Sequence, residues 1–247
     1  MPGVLCLMPM VSHAAVILAA GQGTRMRSNT PKILHPICGR EMVGLVVDCA
    51  GTAGFVQVVV VVGVDAQPVR DVLKDRVEYA VQPEPLGSGD ALLNSRSLVD
   101  GVDHIAVLSG DVPLVRAETL QMMMQHHLQE DADVTWLTST GDDPCGFGRV
   151  IRDDHGKVTE IIEDQDANDD VKNIREINSG VYCFRTSWLW TNLDEISPSD
   201  SGEVYLTDLV SLAYRQQLII GSVNPISSEE IIGVNTRLQL ARAEDVL

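Results

Sequence analysis

Two strongly apolar runs near the start of the chain have the pattern of buried β-strands. They cover residues 14–20 (AAVILAA) and 56–63 (VQVVVVVG). Long β-branched runs without polar alternation are typical of a parallel sheet that is covered on both faces. The residues between them, 42–54 (MVGLVVDCAGTAG), predict a helix that starts at Met42 and ends near the glycines at positions 51 and 54.

Short apolar strands continue to alternate with helical segments as far as residue 140. This alternation is typical of βαβ units, and it predicts an α/β fold with a Rossmann-like, doubly wound, mostly parallel sheet. The further predicted strands are residues 77–81, 104–108 and 132–140, and the further predicted helices are residues 68–74, 91–98 and 118–130.

The pattern changes after residue 140 and becomes richer in strands. We expect a hairpin with its turn at residues 153–156, a strand within 176–186, a helix within 201–216 and a strand near 218–223. We find no internal repeat and no linker. The chain is therefore predicted to be one domain over residues 1–247, with a first part at about 14–140, a smaller β-rich lobe at about 141–235 and a closing helix at 236–247.

The charge of the chain is strongly negative but unevenly distributed. The formal net charge is −17, which argues against binding of bulk nucleic acid, because that affinity depends on neutralising phosphates. Residues 1–40 nevertheless contain four basic residues (Arg25, Arg27, Lys32 and Arg40) and no acidic residue. A local anion site on an anion-repelling protein has this distribution, although a short segment can also have it by chance.

The amino end and the cysteines indicate the compartment. The first residues lack the positive start of a signal peptide and run directly into the first predicted strand, and no apolar run reaches the ~18 residues that a membrane span needs. The five cysteines are scattered without a C-x-x-C pair, which indicates free thiols. We expect a cytoplasmic protein with no membrane partner.

The basic residues lie in a glycine-rich segment, LAAGQGTRMRSNTPK, at residues 18–32. A glycine turn after a strand exposes backbone N–H groups that can bind phosphates. The segment is neither a P-loop nor a dinucleotide fingerprint, since Arg25 and Met26 stand where the latter needs its third glycine, which argues against a dinucleotide-dependent oxidoreductase. Arg25 and Lys32 have the chemistry to bind the phosphates of a nucleoside triphosphate. An ordinary turn is the alternative.

The segment LAAGQGTRMRSNTPKILHPICGREMV (residues 18–43) resembles the signature loop of the sugar-phosphate nucleotidylyltransferases, in particular the bacterial N-acetylglucosamine-1-phosphate uridylyltransferases. Later motifs resemble the same family in the same order, over residues 14 to about 242. They are VQPEPLGSGDAL (81–92), LSGDVPL (108–114), GFGRV (146–150), IIEDQDA (161–167), EINSGVY (176–182), GEVYLTDLV (202–210) and IGVNTRLQL (232–240).

The resemblance implies roles for the nucleotide-binding residues. Arg25 and Lys32 would be catalytic, Gln82 would read the base, and a turn at residues 87–89 would approach the ring. The alternative is that Ser88 or Asp90 caps a helix. The implied nucleotide contacts are Leu18, Ala19, Ala20, Gly21, Gly23, Thr24, Gln82, Gly87, Ser88, Ser109 and Gly110.

The cofactor implied is Mg²⁺, with Asp111 and Asn235 as its two protein ligands. Asp111 follows an apolar strand, at the edge where ligands sit in open α/β sheets, and Mg²⁺ prefers few protein oxygens together with phosphates. The alternatives are structural roles without metal binding: Asp111 could cap a turn, and Asn235 could cap the closing helix.

The second half would bind the sugar. The resemblance assigns hydroxyl and N-acetyl contacts to the backbone of Gly148, the carboxylate of Glu163 and the amide of Asn178. For Tyr205 and Asp208, in the matching motif GEVYLTDLV, we expect structural roles first. Gln165 departs from the pattern, because many relatives have a basic residue there.

The expected reaction is uridylyl transfer from UTP to N-acetylglucosamine 1-phosphate, which gives UDP-N-acetylglucosamine and pyrophosphate for peptidoglycan and cell-wall synthesis. The alternatives are a related enzyme that uses glucose 1-phosphate or dTTP, and a non-catalytic nucleotide-sugar-binding protein. The chain ends where bifunctional relatives continue into an acetyltransferase β-helix, so we expect no such domain here. A monomer is expected for this length, and a trimer for a full-length bifunctional chain.

Overall fold

The computed structural model describes residues 11–21, 23–140, 144, 146–199 and 202–247. Most of the amino-terminal tail, Cys6 and Cys145 lie outside these residues, while Cys38, Cys49 and Cys183 are free thiols. The strands are β1 (His13–Leu18), β2 (Pro36–Ile37), β3 (Arg40–Glu41), β4 (Gln57–Val62), β5 (Glu78–Val81), β6 (His104–Ser109), β7 (Val134–Thr140), β8 (Arg149–Arg152), β9 (Val158–Ile162), β10 (Glu176–Arg185) and β11 (Ile220–Val223). The helices are α1 (Met42–Ala53), α2 (Gln67–Leu73), α3 (Ser88–Leu93), α4 (Arg96–Val99), α5 (Ala117–Gln129), α6 (Asp169–Lys172), α7 (Thr186–Leu193), α8 (Asp208–Arg215) and α9 (Arg237–Val246).

A nine-stranded sheet forms the centre of the molecule. Its main path has the order β11-β7-β10-β6-β1-β4-β5, and the hairpin β8–β9 joins it through β10. Every strand of the main path is parallel to its neighbours except β10, which runs antiparallel to β6 and β7. The predicted Rossmann-like, mostly parallel α/β fold is confirmed.

Helices cover both faces of the sheet, as the continuous apolar runs predicted. In β1, Ala15 and Ile17 face a core that includes residues of α1, α2 and α5. Ala14 and Val16 face a second core, which includes residues of α3, α4, α7 and α8. Both faces of this strand are therefore removed from water, which is why it contains no polar alternation.

Of two local predictions, one differs from the structure and the other is confirmed. The helix expected at residues 91–98 starts at Ser88 and is broken into α3 and α4. At the break, the hydroxyl of fully buried Ser95 donates to the carbonyl of Leu92 at 2.7 Å, a side-chain bond that competes with continuation of the helix. The hairpin turn at residues 153–156 is confirmed, because the Asp153 carboxylate accepts hydrogen bonds from the backbone N–H groups of His155 and Lys157, both at 2.9 Å.

Three elements were not predicted: the small hairpin β2–β3, the one-turn helix α6 and helix α7. All three are too short to leave a periodic pattern in the sequence. Within the described residues, no helix combines the length and apolarity needed to span a bilayer.

The sheet places two loops at one edge. Strands β1 and β6 are parallel neighbours, with Leu18 opposite Ser109 at their carboxyl ends. Because parallel strands end at the same edge, the glycine-rich segment after β1 and the segment after β6 lie side by side.

Candidate active site

A cavity of about 580 Å³ lies at this edge of the sheet. The residues predicted to bind nucleotide, metal and phosphates all line it, with the exception of Gly110. Gly110 instead packs beside β1: its N–H donates to the carbonyl of Leu18 at 2.9 Å, and a Cβ there would come within 3.0 Å of that oxygen.

Lys32 lies among the charged and polar residues that line this cavity. Its ammonium is 2.5 Å from Asp111 Oδ2 and 2.9 Å from Asn235 Oδ1, which also accepts from Arg25 Nη2 at 3.1 Å. The Lys32 and Asp111 side chains are only 12% and 20% exposed, so their attraction is weakly screened by water. The fold thus brings together three regions that are distant in the sequence, since Lys32 and Asn235 are 203 positions apart.

Gly23 allows the glycine-rich segment to lie directly against Lys32. It has a left-handed φ of 63°, and an added Cβ would be 2.4 Å from the Cβ of Lys32. Any other residue would be strained and would also force these two segments apart. The glycine is therefore needed for the position of the lysine.

The position of Asn235 is fixed by the backbone beside it. The N–H of Val234 donates to the carbonyl of Asp111 at 2.8 Å, which joins the two segments. The alternative role of Asn235 as a helix cap is wrong, because Thr236 caps α9 and forms a capping box with Gln239. The Asn235 side chain is left to face Arg25 and Lys32.

At the other end of this cavity, Gln82 and the turn at residues 87–89 are held in place. Buried Gln82 donates from Nε2 to Gly87 O at 3.1 Å and to Asp90 Oδ2 at 2.8 Å, so its amide has one orientation. Gly87 has a φ of 106° and approaches the backbone of Val204 so closely that a Cβ would lie 2.5 Å from its carbonyl oxygen.

Neither of the capping roles considered for Ser88 and Asp90 is present. Helix α3 has no side-chain cap. Ser88 Oγ instead accepts from the backbone N–H of Leu206 at 3.0 Å, and Asp90 accepts from Gln82. Both side chains therefore fix neighbouring segments of the cavity wall.

A second cavity, of about 250 Å³, adjoins the first. It contains the predicted sugar contacts Gly148, Glu163 and Asn178. A Cβ added to Gly148 would lie 3.5 Å from Glu163 Oε2 and 3.6 Å from Asn178 Cβ, so the three residues are close neighbours. Both cavities are also lined by Leu18, Ser88, Ser109, Asp111 and Asn235.

Thr207 is a residue of this site that the sequence did not single out. Its hydroxyl donates to Glu163 Oε1 at 3.1 Å. The pKa of Glu163 is raised, because burial disfavours the charged form more than the bond from Thr207 favours it, and nearby carboxylates add to the rise. The sequence signal that could have identified Thr207 is its position in the motif GEVYLTDLV, between Tyr205 and Asp208, for which structural roles were expected.

Two other residues singled out in the sequence contact each other. The amide of Gln165 donates to the hydroxyl of Tyr205, a mostly buried side chain. Asp208 opens helix α8, and burial raises its pKa.

The oxygen pair of Asp111 and Asn235 fits a divalent cation. Both oxygens already contact one cation, the Lys32 ammonium, and hard oxygen ligands are those that Mg²⁺ prefers. The described residues contain no group of three or more His, Cys, Asp and Glu side chains placed to hold a metal alone. A metal at this pair would therefore need phosphate or water oxygens as further ligands.

A family model, the MobA-like NTP transferase domain, matches residues 15–177, which include the glycine-rich segment, Asp111 and about half of the residues that line the second cavity. The chain belongs to this family. Nucleotidyltransferases of this family generally use a divalent metal ion, in agreement with the oxygen pair described above.

Curated relatives of this NTP transferase are bacterial. The bifunctional protein GlmU of Geobacillus sp. (strain WCH70) is 43% identical over 240 residues, which are 96% of this chain and 52% of the relative. The bifunctional protein GlmU of Caldanaerobacter subterraneus is 44% identical over 234 residues, 94% of this chain and 51% of the relative. The chain spans about half the length of these curated relatives.

Solved structures agree on the fold. A UDP-glucose pyrophosphorylase solved with UDP-glucose superposes with a TM-score of 0.76 over 96% of this chain and 98% of that one, at 16% identity. The Rossmann-like architecture is thus shared well beyond recognisable sequence similarity.

Proposed function

We propose that this NTP transferase transfers the uridylyl group of UTP to N-acetylglucosamine 1-phosphate and releases pyrophosphate. The observation on which the proposal rests is that two cavities, one with the phosphate-binding chemistry and one with the sugar contacts, meet at Asp111 and Asn235. Two substrates placed in them would meet at this pair. The motif resemblance and the two GlmU relatives support the choice of UTP and N-acetylglucosamine 1-phosphate.

The reaction joins two polyanions, so the main tasks are neutralising charge and aligning the reacting atoms. An oxygen of the sugar phosphate attacks the α-phosphorus of UTP. The bond from that phosphorus to the bridging oxygen breaks, and pyrophosphate leaves with the electron pair. The attacking phosphate is already ionised at neutral pH, so no general base is needed.

The basic residues stabilise the charge that moves during this step. Arg25 binds the leaving pyrophosphate with its two-pronged guanidinium, and Lys32 stabilises the α-phosphate. Asp111 and Asn235 would hold Mg²⁺, which would supply further positive charge to the phosphates. The Lys32 ammonium, which contacts both of these oxygens, lies where it can reach a phosphate placed beside them.

The second cavity selects the sugar. The Glu163 carboxylate accepts hydrogen bonds from sugar hydroxyls, while the Asn178 amide and the Gly148 backbone contact the hydroxyls and the N-acetyl group. At the far end, Gln82 reads the base. The product is an activated sugar for cell-wall synthesis, and we place the reaction in the cytoplasm.

A pyrophosphate-release assay tests the proposal. Each of the four common NTPs and dTTP is paired with N-acetylglucosamine 1-phosphate and glucose 1-phosphate, with Mg²⁺ or with EDTA. We expect rapid release with UTP, N-acetylglucosamine 1-phosphate and Mg²⁺, and none with EDTA. Equal or faster release with glucose 1-phosphate or dTTP would indicate the related enzyme, and calorimetric UTP binding without any release would indicate a non-catalytic binding protein.

Arg25→Gln tests the phosphate role, with Arg27→Gln as its matched control. Both variants remove one positive charge from the same segment, but only Arg25 lines the cavity. Loss of transition-state stabilisation predicts a kcat about 100-fold or more lower for Arg25→Gln. Arg27→Gln should stay within about three-fold of the wild type. Similar activities of the two variants would remove Arg25 from the mechanism.

A further inference from the structure

Arg149, the first residue of β8, is a charged side chain in the interior. Only 2% of it is exposed, although it lies outside the lining of both cavities of the candidate active site. Burying a guanidinium is costly unless hydrogen bonds and an opposite charge compensate for the lost water. The contacts of the Arg149 guanidinium must therefore offset the cost of its burial.

Each prong of the Arg149 guanidinium binds a different segment of the sugar cavity. Nη1 donates to the carbonyl of Phe147, and Nη2 forms an ion pair with Asp164 Oδ1 at 3.0 Å. Phe147 immediately precedes Gly148, and Asp164 immediately follows Glu163. One planar group thus sets the separation of the two segments that present these sugar contacts.

The backbone of the same residue leads to the third sugar contact. Arg149 is paired with Ile177 of β10, and the N–H of the next residue, Asn178, donates to the carbonyl of Gly148 at 2.9 Å. Three segments that carry Gly148, Glu163 and Asn178 therefore converge on one buried arginine.

The surrounding packing leaves little room for an alternative arrangement. A Cβ at Gly148 would already lie 3.0 Å from Ile161 Cγ2, so the segments are in close contact. The ring of Phe147 also lies beside Gly233, two residues before Asn235, where a Cβ would be 3.8 Å from it. A shift of the Phe147 carbonyl would therefore displace neighbouring atoms on both sides of the cavity, at Gly148 and at Gly233.

We propose that Arg149 is a positioning residue that sets the width of the sugar cavity and so the affinity for the sugar phosphate, without touching the substrate. This inference rests on the proposed function. Arginine is required because its fork makes two bonds in fixed directions, whereas the single nitrogen of a lysine cannot hold Phe147 O and Asp164 in the same geometry.

The test compares Arg149→Lys and Asp164→Asn with the control Arg152→Lys. Arg152 lies on the same strand and forms its own ion pair, with Glu176, but it lines neither of the two active-site cavities. We expect Arg149→Lys to raise the KM for N-acetylglucosamine 1-phosphate roughly ten-fold while the KM for UTP changes less than about two-fold. Asp164→Asn should have a smaller effect in the same direction, and the double variant should add little. Arg152→Lys should change neither KM.

Calorimetric binding of UDP-N-acetylglucosamine separates this inference from the proposed function. If the wild type binds it without turnover, the proposed reaction fails, and a roughly ten-fold weaker Kd for Arg149→Lys still supports the positioning role. The inference would be overturned if Arg149→Lys left the KM for the sugar phosphate and the Kd for UDP-N-acetylglucosamine unchanged, or if it raised the KM values of both substrates equally. Either result would overturn it even if the melting temperature of the variant were lower. A wild type that neither turns over nor binds would overturn both proposals.

Discussion

Glu163 shows how the surroundings of one residue control its chemistry. It is a carboxylate in a partly buried cavity, where the loss of water raises its pKa and the hydroxyl of Thr207 only partly offsets this effect. Below its pKa, the group loses the charge that makes it a strong acceptor for sugar hydroxyls. Acid should therefore weaken sugar binding at a higher pH than an ordinary glutamate would allow.

We predict that the advantage of the wild type over Glu163→Gln shrinks as the pH falls. The substrate phosphate also titrates in this range, but it does so equally for both enzymes, so the ratio of their kcat/KM values cancels it. We expect this ratio to be largest near neutral pH and to decrease as the pH falls toward the ordinary glutamate pKa of 4.5, because protonated Glu163 resembles the neutral amide. Glu160→Gln is the control, because Glu160 is an exposed residue of β9. Its ratio of wild-type to variant kcat/KM should not change with pH. A pH-independent ratio for Glu163→Gln would contradict the role of its charge.

The site residues that could be predicted were those within recognisable motifs. The glycine-rich segment, Asp111 and Asn235 each follow or precede an element of clear pattern, so their shared edge follows from the order of the strands. Thr207 and Arg149 could not be found in this way. Their importance depends on contacts with Glu163, Phe147 and Asp164, which only the folded chain brings together.

At the scale of elements, the 3₁₀ turn Ser228–Ile231 is fastened to the start of α5 by one buried carboxylate. Glu230 is 1% exposed, and its two oxygens accept from the backbone N–H groups of Ser227 at 2.9 Å and Arg116 at 3.0 Å. The next residue, Ile231, is buried in the core that includes residues of α1, α2 and α5. This connection supports the segment that leads to Asn235.

Glu230→Gln should therefore lower the free energy of unfolding. An amide has only one acceptor oxygen, so its NH₂ group would face one of the two backbone donors and leave it unsatisfied. The expected loss is about 1–3 kcal/mol, measured by urea unfolding. Exposed Glu229→Gln removes the same charge one residue earlier and should change stability by less than about 0.5 kcal/mol. Equal losses in both variants would mean that charge, rather than the two bonds, is responsible.

Element types followed from the sequence more reliably than their ends and breaks. The long apolar strands and α1 appear where periodicity placed them, since burial on both faces or along one stripe leaves a clear pattern. The break between α3 and α4 depends on one hydroxyl, that of Ser95, and the cap of α9 falls on Thr236 rather than Asn235. Such choices between neighbouring polar residues are made by tertiary contacts.

For the whole molecule, the antiparallel strand β10 is the feature that joins the two halves. It lies between β6 and β7 in the central sheet and also pairs with the β8–β9 hairpin. Asn178 lies on this strand, while Ser109 at the end of β6 donates to the carbonyl of Gly180 at 3.1 Å. The sequence predicted mostly parallel strands but not this insertion, because strand direction leaves no mark in an apolar run. The two cavities adjoin because of it.

The opposite part of β6 contains a buried histidine chain that links three elements. His104 Nδ1 lies 3.0 Å from His127 Nε2, and His127 Nδ1 lies 2.9 Å from Thr135 Oγ1, which connects β6, α5 and β7. Burial lowers the pKa of His127 to about 3, and the nearby positive charges of His104 and Arg185 act in the same direction, against Asp131. The pKa of His104 is also lowered, again chiefly by burial.

This histidine chain should make the stability of the whole molecule fall with acid well before the carboxylates with a lowered pKa, such as Asp103 and Asp131, protonate. Below the ordinary histidine pKa of 6.5, the unfolded chain binds protons that buried His127 does not bind until about pH 3, so unfolding is favoured as the pH falls between these values. His127 alone should cost roughly 2 kcal/mol between about pH 8 and pH 5, as linkage gives about 1.4 kcal/mol per pH unit below 6.5. Carboxylates with lowered pKa, such as Asp103 and Asp131, stabilise the fold above their ordinary pKa of 3.8 and lose this effect only at lower pH.

Urea unfolding of the wild type and His127→Gln from about pH 8 to pH 5 separates these contributions. The variant should be less stable at pH 8, because glutamine cannot make both bonds of the imidazole, but its stability should decline less toward pH 5. His155→Gln, which removes an exposed imidazole from the β8–β9 turn, should reproduce the wild-type slope. Parallel curves for the wild type and His127→Gln would show that the buried pair accepts protons in the folded state, and that the acid sensitivity of the molecule has another origin.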